Sequence, residues 1–279
     1  MIIAGVDGSP ESHAAVAWAV DDAQRRHEPL RVVHAVNHDP YRFSRFHASP
    51  EPEVLDRMAQ TLVNDAAELA GDRQLDVEVS TEIAEGPAAV VLREQAKDAT
   101  EIVIGSRGLG GFEGALLGSV SLHVAGQAHC PVVVVRPELE SVRGEVVVGV
   151  DDSPGCEPAL EFAFRQAELR GSTLRALHAW QPPVQLYAPQ VNYDPDDVTA
   201  AANQAVAARI ARFREAYPQV VVVEDVRRAH PVDALVAASA QAALVVVGSH
   251  GRGVIRSALL GSVSHGVLHH ARCAVAVVR

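Results

Sequence analysis

Residues 2–12 read IIAGVDGSPES, and residues 146–156 read VVVGVDDSPGC. Each is an apolar run, then an aspartate, then Ser-Pro. A buried strand that ends in a turn and hands the chain to a helix has this pattern. The second copy follows the first at an offset of 144 residues. Outward from these segments, three more blocks recur in the same order. LRVVHAV (30–36) is answered by LRALHAW (174–180), VIGSRGLG (103–110) by VVGSHGRG (246–253), and ALLGSVS (115–121) by ALLGSVS (258–264), at offsets of 143 or 144. Constant order and spacing make the chain a tandem repeat. The predicted domains are 1–138 and 144–279, with the linker within 137–144, PELESVRG.

Both halves predict the same elements. Strand-like runs cover Ile2–Val6, Leu30–Val36, Val77–Ile83, Ile102–Gly105 and Val132–Val135. In the second half they cover Val146–Val150, Leu174–Trp180, Val220–Val226, Leu244–Gly248 and Ala274–Val278. Most are continuous and β-branched, as strands covered on both faces are. Ser9–Pro10 and Ser153–Pro154 read as helix N-caps followed by a first-turn proline. Pro87–Asp98 and Val232–Gln241 read as later helices. The alternation predicts two doubly wound, Rossmann-like parallel sheets of five strands, in order 3-2-1-4-5. The polar stretches Asn37–Pro52 and Gln181–Asp197 read as surface connections.

Composition narrows the function classes. The 279 residues carry 24 Lys and Arg against 35 Asp and Glu, a net charge of −11, with Lys97 the single lysine. Such a balance argues against general nucleic-acid binding. Three scattered cysteines form no disulfide framework or metal motif, which points to a reducing compartment. The sequence predicts neither a signal peptide nor a membrane span, so a cytoplasmic protein is expected.

The chemistry concentrates in GSRGLGGFEGALLGSVS (105–121) and GSHGRGVIRSALLGSVS (248–264). In each, a strand runs into a Gly-x-x-Gly turn, and nine residues later Gly-Ser opens a helix. Gly105, Gly108 and Gly118, and likewise Gly248, Gly251 and Gly261, permit close approach of an anion to the backbone. The free N–H groups of the following helix favour negative charge. Ser119 and Ser262 add hydroxyls at the helix start, and Ser121 and Ser264 follow two residues later. No Gly-Lys-Ser/Thr is present, so these are not Walker loops. They follow the fourth strand, unlike the dinucleotide fingerprint. The competing reading is a tight loop with capping serines and no ligand. Asp7 and Asp151 end the first strands. They suit contacts to a ribose or adenine, or to a phosphate-bound metal, or simply bonds to the adjacent helix start. In a 3-2-1-4-5 sheet, strands 1 and 4 flank the order reversal, which sets Asp7 opposite Gly105 and Asp151 opposite Gly248.

Gly-x-x-Gly-x9-Gly-Ser, present twice, together with VDGS and VDDS, resembles the universal stress protein family in its tandem form. The resemblance covers nearly the whole chain. It implies ATP binding, with Mg²⁺ as a possible companion, through Gly105, Gly108, Gly118 and Ser119 and through Gly248, Gly251, Gly261 and Ser262. It implies that Asp7 and Asp151 contact the nucleotide, and that Val36 and Trp180 meet adenine at the second strand. It also implies a regulatory role in stress responses, a homodimer, and pairing between the domains along their terminal strands. Trp180 for Val36 and Asp152 for Gly8 predict an altered second site, so the first half stands closer to the family pattern.

No catalytic residue or metal site is assigned. His34 and His178 read as bonded histidines within strands, and His265 and His269 as an exposed pair. Cys130 and Cys273 read as buried packing. Three readings remain open: an ATP-binding regulator, a slow ATP hydrolase, and a protein-interaction module with purely structural glycine loops.

Overall fold

Val-, Ile- and Leu-rich runs cannot leave both faces of a strand in water, so most of them are covered by helices. The computed structural model of the chain describes residues 1–37, 52–110, 116–137, 144–181, 194–251 and 260–279. The chain divides into two compact units, Met1–Glu138 and Leu139–Arg279. Most of the two polar connections, and nearly all of the expected linker, lie outside the described residues.

The first unit runs β1 (Ile2–Gly5), α1 (Pro10–Arg26), β2 (Leu30–Val36), α2 (Pro52–Arg73), β3 (Val79–Glu85), α3 (Ala88–Gln95), β4 (Glu101–Gly105), α4 (Ser119–Gln127) and β5 (Val132–Val135). Its strands lie in the order β3-β2-β1-β4-β5, paired in parallel. The second unit runs β6 (Glu145–Gly149), α5 (Cys156–Arg170), β7 (Leu174–Trp180), α6 (Pro195–Ala216), β8 (Val222–Arg228), α7 (Pro231–Ser239), β9 (Ala242–Gly248), α8 (Ser262–His270) and β10 (Ala274–Val278). Its order is β10-β9-β6-β7-β8, again parallel and again the 3-2-1-4-5 pattern when counted within the unit. Helix α1 packs with α2 and α3 with α4; α5 packs with α6 and α7 with α8. Every residue of β1, β4 and β5 is buried, as is every residue of β10.

The edge strands depart from expectation. Strand β3 begins at Val79 and β8 at Val222, each two residues beyond the predicted start. Their apolar runs do not mark a core, and Val221 stands exposed. Pairing sets their limits instead, with Leu30 opposite Val79 and Leu174 opposite Val222.

The two first turns also differ. Ser9 caps α1 as expected, its hydroxyl accepting from Ser12 N at 3.2 Å, with Pro10 in the first turn. Gly8 makes that turn with φ +84°. Asp152 replaces it and adopts no positive φ, a conformation costly for a residue with a Cβ. The second chain path is therefore different. Helix α5 starts at Cys156 with Gly155 as its N-cap, so the expected Ser153 cap is corrected. The Ser153 hydroxyl turns to Asp151.

Candidate functional site

Strand β1 ends just before Asp7, and its neighbour β4 ends in the glycine loop. Parallel pairing of Ile2 with Glu101 through Gly5 with Ile104 brings both ends to the same edge. Asp7 Oδ1 accepts from Ser9 N at 3.0 Å and from Ser9 Oγ at 2.6 Å. Its Oδ2 accepts from Leu109 N at 3.0 Å, across 102 positions of sequence. A Cβ on Gly108 would stand 2.2 Å from that same oxygen, so glycine is what lets the loop close on the aspartate. The second unit repeats the arrangement. Asp151 Oδ1 accepts from Ser153 N at 2.9 Å and Ser153 Oγ at 2.5 Å, and a Cβ on Gly251 would lie 3.0 Å from Asp151 Oδ2.

The loops lead into helices that open on glycine. Gly118 caps α4 and Gly261 caps α8, and neither has a side-chain cap. Ser119 and Ser262 stand exposed at the first helical position. Ser121 and Ser264 are buried and donate to Gly105 O at 2.7 Å and Gly248 O at 2.5 Å. They tie the strand end to the helix that follows. The Gly118 N–H donates to Ser106 O at 2.7 Å and the Gly261 N–H to Ser249 O at 2.8 Å, which closes each loop.

The carbonyls of Val36 and Trp180 accept from Gly86 N at 2.9 Å and Ala229 N at 3.1 Å. Val36 is buried. Trp180 lines an open cleft of about 830 Å³ with Asp151, Gly248, Gly251, Gly261 and Ser262. Leu177, Leu235, Val247 and Leu260 supply its apolar wall. A volume of that size accommodates a small-molecule ligand. Trp180 also borders an adjoining space of about 260 Å³. Its indole N–H is buried with no hydrogen-bond partner.

His34 Nδ1 lies 2.8 Å from Val6 O, and His178 Nδ1 lies 2.7 Å from Val150 O, so both are bonded as expected. Ser249 Oγ meets His250 Nδ1 at 3.2 Å, but Ser249 is buried and does not line the cleft. It is not presented as a nucleophile. The His265 and His269 rings lie with centroids 4.5 Å apart, tilted by 39°. Among the described residues, no group of three or more His, Cys, Asp or Glu is placed to hold a metal. No helix among them is long and apolar enough to cross a membrane.

Sequence reasoning missed one pair. Glu11 accepts from Arg107 Nε at 2.9 Å, bridging the start of α1 to the glycine loop. At the matching positions the second unit has Gly155 and His250. Read along the repeat offset, that double change was a visible signal.

All three cysteines are buried and outside any disulfide. Burial first, then the Glu101 carboxylate, push the Cys130 thiol up to about 11. Burial likewise raises Cys156, which lines the cleft wall. In neutral buffer, native protein is expected to resist iodoacetamide, while denatured protein takes up three labels by mass spectrometry. Prompt labelling of native Cys156 would contradict that burial.

Taken together, these features define a tandem of Rossmann-like α/β domains, each with a glycine-built crevice where the strand order reverses. Residues 1–136 and 143–279 each match the universal stress protein family. The chain belongs to that family, in its two-domain form. Two universal stress proteins of Mycobacterium tuberculosis are similar to it at 38% and 36% identity. Both comparisons cover 100% of this chain, and 96% and 94% of those proteins. The crystal structure of a universal stress protein from Archaeoglobus fulgidus shares the fold with a TM-score of 0.71 at 19% identity. That comparison covers 99% of this chain and 94% of the other.

Proposed function

We propose that the chain is an ATP-binding regulatory protein of the stress response, acting through its nucleotide state. One observation carries this reading. Each unit has a helix N-terminus capped by glycine alone, beside a glycine loop and opposite a first-strand aspartate. The donor set fits phosphate. Unpaired helix N–H groups and the exposed Ser119 and Ser262 hydroxyls can hold phosphate oxygens without lysine. Asp7 and Asp151 retain lone pairs beyond those their serines use, enough to accept ribose hydroxyls. Leu177, Leu235 and Leu260 offer the base an apolar wall in the second cleft. Mg²⁺, when it accompanies ATP, would be carried on the phosphates.

Titration calorimetry with ATP, ADP and AMP, with and without Mg²⁺, tests the reading. Binding is expected in the wild-type chain and is expected to fall at least tenfold in a Gly118→Ala/Gly261→Ala variant. A Cβ there narrows the place where phosphate meets backbone; on Gly261 it would already stand 3.3 Å from Gly251 N. Absence of binding at high protein concentration would leave the interaction-module reading. Product formation above the double variant's background would favour the hydrolase.

A further inference from the structure

We infer that the first phosphate cradle is gated by its own carboxylate, Glu11, and that the ungated second cradle is the tighter nucleotide site. The inference rests on the nucleotide reading above. It reverses the sequence-based expectation that the first half is the better site.

The Arg107 side chain, 42% exposed, places Nη2 at 2.8 Å and Nε at 2.9 Å from Glu11 Oε1. The Glu11 side chain is only 11% exposed. It cannot easily move away, because the start of α1 is pressed against the loop. A Cβ on Gly105 would stand 2.7 Å from Glu11 Cβ and 2.8 Å from its carbonyl carbon. Arg107 also belongs to the cradle, since a Cβ on Gly118 would lie 3.4 Å from Arg107 Cα. Arg107, the cation of this glycine loop, is thus held by an acid of the protein itself. An arriving phosphate must compete with Glu11 for that guanidinium and must also approach a fixed negative charge.

The second unit removes both members together. Gly155 stands where Glu11 stood, and His250 where Arg107 stood. The loop rests there on Gly155 backbone, with a Cβ on Gly248 coming 3.0 Å from Gly155 O. No carboxylate stands at the Glu11 position there, and the two acids around that helix start are turned to α6, Glu157 to Arg212 at 3.1 Å and Asp152 to Arg209 at 3.6 Å. The two clefts thus differ in a charge that acts on the ligand, while the glycine frame is retained in both. One protein then carries a site filled at low nucleotide and a second that fills only when nucleotide is abundant.

Calorimetry with MgATP on the whole chain tests this in blocked backgrounds. Gly261→Ala leaves the first site to be read alone. Adding Glu11→Gln, which keeps size and removes charge, is expected to tighten that site roughly three- to tenfold. This is the range for a half-exposed ion pair and a freed charge-assisted bond. Conversely, in a Gly118→Ala background, Gly155→Glu with His250→Arg is expected to weaken the second site by a similar factor. A folded Glu11→Gln variant with unchanged or weaker first-site binding overturns the gate. So does a wild-type chain whose two sites bind equally. Absence of binding in every variant, wild type included, is the separate result that would remove the nucleotide reading itself, and the gate with it.

Discussion

Arg26→Ala is expected to destabilise the first unit by about 3–5 kcal/mol, the usual result of removing one partner from a buried charge network. The Arg26 side chain is only 6% exposed, and the side chains of Asp22 and Glu101 are 0% exposed. Arg26 Nη1 lies 2.8 Å from Glu101 Oε2 and 3.6 Å from Asp22 Oδ2, and Nε lies 3.3 Å from Glu28 Oε1. Glu28 also accepts from the N-terminal ammonium at 2.6 Å, so the network ties α1, β4 and the chain start together. Without the guanidinium, two carboxylates stay in a low-dielectric environment with their main compensation gone. The second unit solves the same packing problem with less charge. Arg170, Gln166 and Leu244 occupy the matching places, and Arg170 donates to Gln166 Oε1 at 2.9 Å. Asp22→Gln with Glu101→Leu should therefore be tolerated far better than Arg26→Ala alone. Urea denaturation followed by circular dichroism reads both variants. A loss below about 1 kcal/mol for Arg26→Ala would show that water reaches the triad.

Gly105→Ala is expected to cost about 1–3 kcal/mol, the range for overpacking a well-filled interior. Three Glu11 atoms would lie within 2.7 to 2.9 Å of the new Cβ, two of them backbone. Helix α1 must shift at its first turn, and the Glu11–Arg107 bridge shifts with it. Gly248→Ala is the internal control. Its closest approach is 3.0 Å to Gly155 O, and the residue that must yield is a glycine at a helix start that has already moved. The loss there should be clearly smaller. Equal losses from the two substitutions, measured by the same denaturation series, would contradict the asymmetry.

The strands that pack in the interior were legible because burial writes continuous β-branched runs, and β2, β5, β7 and β10 fall on their predicted residues. The order 3-2-1-4-5 followed from alternation and handedness. Edge strands β3 and β8 were misplaced by two residues because one face meets water and pairing, not hydropathy, sets their ends. The Ser153 cap failed for a backbone reason, since Asp152 does not take the turn that Gly8 takes. At the site, the glycines and first-strand aspartates could be placed together from topology alone. How Trp180 lines its cleft could not be read, because bulk says nothing about which way an indole points. Glu11 was passed over because a lone acid in a first helical turn looks like an ordinary response to the helix dipole. Its meaning depends on Arg107, nearly a hundred residues away.

The placement of Trp180 has an optical consequence. The sequence holds only two tryptophans, Trp18 within α1 and Trp180 at the end of β7. The second cleft thus has a fluorophore in its wall whose N–H lacks a partner, while Val36 puts no chromophore at the matching place in the first. A ligand that covers the ring changes the emission of this indole directly. Filling of the second cleft is therefore visible in ultraviolet light without any added dye, and a Trp18→Phe chain would reduce the signal to that single emitter.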